Sequence, residues 1–76
     1  MSDHLKHVSE VTVVSKFGER MREIRLSKDI SQLELAKRSG LHRNYISDAE
    51  RGKRNVSLKC IDKIAFGLGC EVKDLF

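Results

Sequence analysis

The stretch that decides the fold is SQLELAKRSGLHRNYISDAERG, residues 31–52. It opens with Ser31 and Glu34 at the spacing of a capping box, in which the serine caps a helix start and the glutamate reaches back to it. Gly40 suits the left-handed position that ends a helix, and the apolar spacing after it indicates another helix over about 43–50. The stretch therefore predicts two short helices joined by a tight turn.

Two short helices joined by a glycine-containing turn form a helix-turn-helix unit. Such a unit needs a small residue where the helices cross, and Ala36 supplies it. Its second helix needs apolar anchors, supplied by Leu41, Ile46 and Ala49. Arginine can pair with guanine and asparagine with adenine in the major groove. The opposite face of the second helix carries such polar side chains, at Arg43, Asn44, Ser47, Asp48 and Arg51.

The flanking sequence predicts further helices and no strand pair. An amphipathic helix comes first, with an apolar stripe at Val14, Phe17, Met21 and Ile24. Ser57 is expected to cap a fourth helix, and residues 72–76 to form a last helical turn. The inward residues of the fourth helix are predicted to be Leu58, Ile61, Ile64, Ala65 and Leu68. The predicted class is thus all-α, a compact domain of five helices.

The division of the chain is predicted as an N-terminal extension or arm, 1–15, followed by a DNA-binding domain, 16–76. Residues 1–15, which contain a valine-rich run at 11–14, leave three interpretations open: a short strand, the start of the first helix, or a loose arm.

Composition narrows the class of protein. Seventy-six residues allow one domain with a small core, and a net charge of +4 favours a polyanionic partner. The longest uncharged stretch, 64–70, is too short to span a membrane, and the N-terminus lacks the apolar run of a signal peptide. We therefore expect a cytoplasmic protein.

No enzyme, cofactor or metal site is predicted. Serine, histidine and aspartate do not fall into a recognisable catalytic arrangement, and no glycine loop suited to phosphate is present. Cys60 and Cys70 lack CxxC spacing and indicate reduced, structural thiols. Together with His4 and His7 they lie too far apart in sequence to favour zinc.

The chain resembles the lambda-repressor-like, Cro-type helix-turn-helix family over residues 17–76. Four motifs match in order: FGERMREIR, SQLELAKRSGL, YISDAERGKRN and IAFGLGCEVKDLF. Among small members it is most similar to the controller proteins of restriction-modification systems, on ERGKRNVSL (50–58) and the closing Leu-Phe. Departures include His42, where a capping serine or threonine is usual, and apolar Leu26, Leu33 and Phe66, where relatives often carry polar residues.

The resemblance implies roles for individual residues. A salt bridge between Arg25 and Glu50 would tie the first helix to the third. Asp48 would accept from cytosine or orient Arg43 or Asn44, although an acidic residue here also fits a domain that has lost DNA binding. Base contacts are expected from Arg43, Asn44, Ser47 and Asp48. Contacts with the DNA backbone are expected from Gln32, Tyr45, Arg51, Lys53, Arg54 and Asn55, although the basic cluster 51–54 alone would suit a solvated loop.

A homodimer is expected, because association stabilises a small domain. Its recognition helices would lie about 34 Å apart, which predicts an inverted-repeat operator. The predicted dimer surface is Phe66, Val72, Leu75 and Phe76.

The resemblance implies binding at the protein's own promoter, control of a restriction endonuclease gene, and contact with RNA polymerase if the protein activates. A bacterial or phage origin and association with the nucleoid are also implied by the family resemblance and not by composition. A phage-type repressor and an antitoxin share these motifs. A protein-interaction module that does not bind DNA is the alternative of another class.

Overall fold

The computed structural model of the chain describes residues 10–76, with side chains from Thr12 onward. It contains α1 (Glu10–Ser27), α2 (Gln32–Ser39), α3 (Arg43–Glu50), α4 (Leu58–Leu68) and a 3-10 helix at Val72–Leu75. The predicted all-α class is confirmed for this part of the chain. The predicted count of five helices is not confirmed, because residues 10–76 contain four α-helices and the last turn is 3-10.

The valine-rich run lies in α1, which begins at Glu10. Of the three interpretations left open by the sequence, the start of the first helix therefore describes residues 10–15. Residues 1–9, which hold most of the predicted arm, lie outside the described residues. The division into an extension and a domain stays a prediction. No helix within residues 10–76 is long and apolar enough to cross a bilayer.

The helix boundaries follow from side chains that satisfy free backbone groups. The Ser31 hydroxyl accepts from the Glu34 amide at 3.0 Å, and the Ser57 hydroxyl accepts from the Cys60 amide at 3.2 Å. Gly40 ends α2 with a φ of 74°, a conformation that costs glycine little. These local features fix the lengths of α2 and α4 and the direction of the turn before α3.

The core is one apolar cluster to which every element contributes. The side chains of the α1 stripe, Phe17, Met21 and Ile24, are buried together with Ile46 and Ala49 of α3. α1 lies directly against the end of α3 because Gly18 has no side chain: a Cβ there would be 2.6 Å from the Glu50 carbonyl oxygen. The largest fully buried side chains are Met21, Leu35, Ile46, Ile64, Leu68 and Leu75.

Two apolar residues have a burial opposite to the one predicted. Leu58, predicted to face inward, is 85% exposed, because no described element covers the first turn of α4 on that side. Leu75, predicted to lie on the dimer surface, is fully buried. The 3-10 helix packs against α1 and α4 and turns Leu75 into the core. Leu75 therefore belongs to the interior of the domain.

Candidate nucleic-acid interface

The turn between α2 and α3 sets the direction of α3. Arg43 is its first residue, and His42 precedes it without a side-chain hydrogen bond to the helix start, as expected from a histidine in place of a capping serine. Ile46 and Ala49 are fully buried and fix the rotation of α3 against the core. Tertiary packing therefore holds this helix in place, because its own start is poorly capped.

The rotation of α3 leaves the four predicted base-facing residues on its accessible side. Arg43 and Asn44 are exposed, and Ser47 and Asp48 are partly exposed. We call these four residues the reading face. They present guanidinium, amide, hydroxyl and carboxylate groups on a convex surface, which is the shape that enters a major groove.

The basic loop, residues 51–55, follows the reading face directly. Arg51, Lys53, Arg54 and Asn55 are all exposed, and the predicted phosphate contacts therefore lie beside the predicted base contacts. The sequence alone did not show how this loop is held.

Asp48 holds the loop through two arginines. Arg51 Nη2 donates to Asp48 Oδ1 at 2.9 Å, and Arg54 Nη2 lies 3.7 Å from Asp48 Oδ2. In the free chain these contacts of Asp48 are with the basic loop, and its predicted roles toward cytosine, Arg43 or Asn44 stay predictions. The spacing of Asp48 and Arg51, three residues apart on one helix end, was a signal for the first of these pairs.

The Tyr45 side chain also contacts the basic loop. The Arg54 guanidinium lies 4.6 Å from the centre of the Tyr45 ring, a cation–π arrangement. Partial burial and a hydrogen bond with Cys60 raise the pKa of the Tyr45 hydroxyl, so it stays neutral and can donate. The pKa of the Cys60 thiol is lowered, first by a hydrogen bond with the Ser57 hydroxyl and to a smaller extent by the one with Tyr45. Arg54 is thus held by an aromatic ring and a carboxylate together.

A buried ion pair joins α1 to the end of α3. Arg25 Nε donates to Glu50 Oε2 at 2.6 Å and Arg25 Nη2 donates to Glu50 Oε1 at 3.0 Å. Arg25 Nη1 also donates to the Ile30 carbonyl at 2.8 Å. Both charged residues are only 7% exposed. This bidentate arrangement fixes the C-terminal end of α3 against α1.

Gln32 belongs to this ion-pair network, which the sequence did not indicate. Its Nε2 donates to Glu50 Oε1 at 3.0 Å. Gln32 is the first residue of α2, where a side chain was predicted to reach a phosphate. The bond to Glu50 fixes the side chain of Gln32 beside the helix N-terminus. No spacing signal joins residues 18 positions apart, so only the packing of α2 on α3 places them together.

Apolar side chains remain exposed away from the reading face. Phe66 is 78% exposed, Phe76 70% and Val72 40%. The Phe76 ring also lies against Phe17, with centroids 5.4 Å apart. Exposed aromatic groups of this size favour contact with another chain. Within residues 10–76, no group of three histidine, cysteine or acidic side chains is arranged to hold a metal ion.

Comparisons with known proteins identify relatives of the chain. The sequence model of the helix-turn-helix family matches residues 21–75. The control protein C.BamHI from Bacillus amyloliquefaciens is 58% identical over 60 residues, which cover 78% of this chain and 74% of that protein. C.MunI from Mycoplasma is 44% identical over 62 residues, covering 80% and 84% of the two chains.

The backbone of the chain is also similar to that of a solved structure. The restriction-modification controller protein C.AhdI from Aeromonas hydrophila superimposes with a TM-score of 0.82 at 50% identity. The superposition covers 84% of this chain and 97% of that one.

Proposed function

The chain belongs to the helix-turn-helix family, and we propose that it is a sequence-specific DNA-binding regulator of transcription whose recognition helix is α3. The observation that supports this most directly is the reading face on α3, with the basic loop beside it. Two buried anchors, Ile46 and Ala49, hold α3 so that this face points outward. The family is a regulatory one, in agreement with the prediction that the chain is not an enzyme.

The two sets of polar residues are proposed to have different tasks. The reading face would contact base edges and determine sequence, whereas the basic loop, with Gln32 and Tyr45, would contact phosphates and determine register. Lys53 and Arg54 are exposed cations that can each neutralise a phosphate. Tyr45 would donate its hydroxyl hydrogen to one in place of Cys60, its hydrogen-bond partner in the free chain.

A comparison of Arg43→Ala with Lys53→Ala tests this division. The operator is first selected from random duplex DNA at about 150 mM salt. Arg43→Ala should then weaken binding by about 1–3 kcal/mol and relax the preference at one base position, because a bidentate base contact is lost. Lys53→Ala should weaken all duplexes nearly equally and reduce the log–log salt slope by about 0.9. Equal weakening of every sequence by Arg43→Ala would refute its assignment as a base reader.

Homodimerisation is proposed through α4 and the 3-10 helix. The proposed dimer surface consists of Phe66, Val72 and Phe76, without the buried Leu75. Pairing would remove two large aromatic groups per chain from water, and aromatic groups are enriched at interface centres. Two recognition helices about 34 Å apart would then select an inverted repeat.

Phe66→Asp tests the dimer surface. A carboxylate placed among the apolar groups should shift the protein toward monomer in analytical ultracentrifugation, because its burial in a dimer is costly. Leu26→Asp is a matched control, since Leu26 is an apolar residue of α1 that is 50% exposed and lies outside the proposed surface. An unchanged mass for Phe66→Asp, or an equal shift for Leu26→Asp, would place the dimer surface elsewhere.

The biological role proposed is control of a restriction-modification operon, including the protein's own promoter. The support is the likeness to C.BamHI, C.MunI and C.AhdI, which are named as control or controller proteins. Contact with RNA polymerase is proposed for any activating role. Location of the selected inverted repeat upstream of a restriction endonuclease gene, followed by a reporter assay with and without the protein, tests this role. Sites beside phage or toxin genes alone would favour a phage repressor or an antitoxin instead.

A further inference from the structure

Asp48 is the one acidic side chain of the reading face, and in the free chain it is paired with two arginines of the basic loop. Its two carboxylate oxygens are engaged separately, Oδ1 by Arg51 at 2.9 Å and Oδ2 by Arg54 at 3.7 Å. The Asp48 side chain is 32% exposed, so DNA can reach this cluster. A carboxylate at this place therefore acts on the very arginines that are proposed to contact phosphates.

Carboxylate and phosphate compete for the same guanidinium groups. Both are oxygen anions that accept charge-assisted hydrogen bonds from arginine in similar geometry. While Arg51 and Arg54 stay on Asp48, each has fewer donors and less uncompensated charge to offer to phosphates. When they transfer to DNA, the Asp48 carboxylate loses its partners and faces a surface of negative charge. The net charge of the cluster is also only +1, against +2 without the carboxylate.

We propose that Asp48 is a specificity-determining residue, which restrains Arg51 and Arg54 and so weakens binding to DNA that lacks a suitable base. The inference rests on the proposed DNA-binding function and deepens it. On a sequence that places no amino group within reach of Asp48, the released carboxylate finds no donor in the groove. On the right sequence, a cytosine amino group provides one, because cytosine N4 is the donor that aspartate accepts from. Only the operator therefore gives the Asp48 carboxylate a new donor in place of the two arginines.

The position of Arg54 allows this exchange without loss of the loop. The Arg54 guanidinium also lies over the Tyr45 ring, 4.6 Å from its centre. Neutralising Asp48 would therefore free the charge of Arg54 while its side chain stays close to the recognition helix. Asp48 also lies in the last turn of α3, where a negative charge is unfavourable for the helix dipole. Asp48→Asn should accordingly leave the domain folded, which far-UV circular dichroism checks.

The test compares Asp48→Asn with the wild type on two duplexes of equal length, the selected inverted repeat and a random sequence. Asp48→Asn should increase affinity for the random duplex by about threefold to tenfold, since exposed ion pairs of this kind are weak individually. Its salt slope on random DNA should steepen by about 0.9, because one more phosphate charge is neutralised. The ratio of specific to random affinity should fall by a similar factor.

Asp62→Asn is the control for net charge. Asp62 is an exposed aspartate of α4, and its replacement makes the same change of one charge. An effect of equal size from Asp62→Asn would overturn the proposal, because total charge would then explain the result. An unchanged or increased ratio of specific to random affinity in Asp48→Asn would overturn it as well.

A double-mutant cycle tests the link to the arginines. In an Arg51→Gln/Arg54→Gln background, Asp48→Asn should have at most about half its effect on random DNA in log units, because the restrained charges are gone. A full effect in that background would refute the restraint. Absence of salt-dependent DNA binding by the wild type would refute the proposed function itself, and wild-type binding with an unaltered ratio in Asp48→Asn would refute only the role of Asp48.

Discussion

Replacement of Glu50 by alanine should destabilise the domain severely, because it leaves a buried arginine without its counter-ion. Glu50 accepts from Arg25 Nε at 2.6 Å, from Arg25 Nη2 at 3.0 Å and from Gln32 Nε2 at 3.0 Å. Arg25 is 7% exposed, so water cannot replace these acceptors without opening the core. Its one remaining hydrogen bond is to the Ile30 carbonyl, which carries no full charge.

The magnitude follows from this burial. Removing one partner of a buried ion pair costs about 3–5 kcal/mol. A domain of 76 residues has a total stability of about 4–11 kcal/mol. Glu50→Ala should therefore remove at least a quarter of the free energy of unfolding, and the less stable end of this range would leave the variant unfolded. Urea denaturation followed by far-UV circular dichroism measures the loss, at fixed protein concentration because association also stabilises the chain.

Two further variants separate burial from charge. Glu34→Ala breaks an ion pair with Arg38 whose side chains are about half exposed, and it should cost about 0–1 kcal/mol. Arg25→Met/Glu50→Leu removes both buried charges and should be less destabilising than Glu50→Ala, because no unpaired charge is left. A loss below about 1 kcal/mol for Glu50→Ala, equal to that of Glu34→Ala, would refute the reasoning.

Three further predictions concern two glycines, Leu75 and the two cysteines. Gly18→Ala should cost about 2–3 kcal/mol in thermal unfolding, because its Cβ would meet the backbone carbonyl of Glu50. Gly67→Ala should cost less, since its nearest neighbour is the movable end of a leucine side chain, and equal losses would argue against the close helix approach. Leu75→Ala should lower the free energy of unfolding by about 2–5 kcal/mol, because Leu75 is fully buried. The dimer should stay intact at concentrations where the chain is folded. Dissociation without a loss of stability would show instead that Leu75 belongs to the interface. Cys60 should react with a thiol reagent faster than Cys70 as pH rises toward 9.0, because the pKa of Cys60 is lowered and burial raises the pKa of Cys70, and mass spectrometry would expose the reverse order.

The features predictable from sequence are those governed by near neighbours. The sequence predicted three local features, the caps at Ser31 and Ser57 and the left-handed conformation of Gly40. It could do so because each involves groups within four residues of one another. The α1 stripe was readable because helical period alone brings its members to one face. These signals also locate α3 and the reading face, since Ile46 and Ala49 point inward whatever the partner helix.

Features that depend on neighbouring elements escaped the sequence. Leu58 has the spacing of a core residue and is exposed, and Leu75 was predicted at an interface and is buried. Helical period says which residues share a face, but it does not say whether another element covers that face at a given turn. The contact of Asp48 with Arg54 likewise depends on how the basic loop folds back after α3.

The sequence by itself determined the helices, the turn that joins α2 to α3, and the family to which the chain belongs. It could do so because hydrogen bonds at helix ends and the spacing of apolar side chains act over a few residues. Only the tertiary structure decided that Gln32 joins the buried pair of Arg25 and Glu50, and that Arg54 of the basic loop lies beside Asp48. Those contacts depend on the angles at which helices cross and on the path of the loop, which the packing of the whole core sets together.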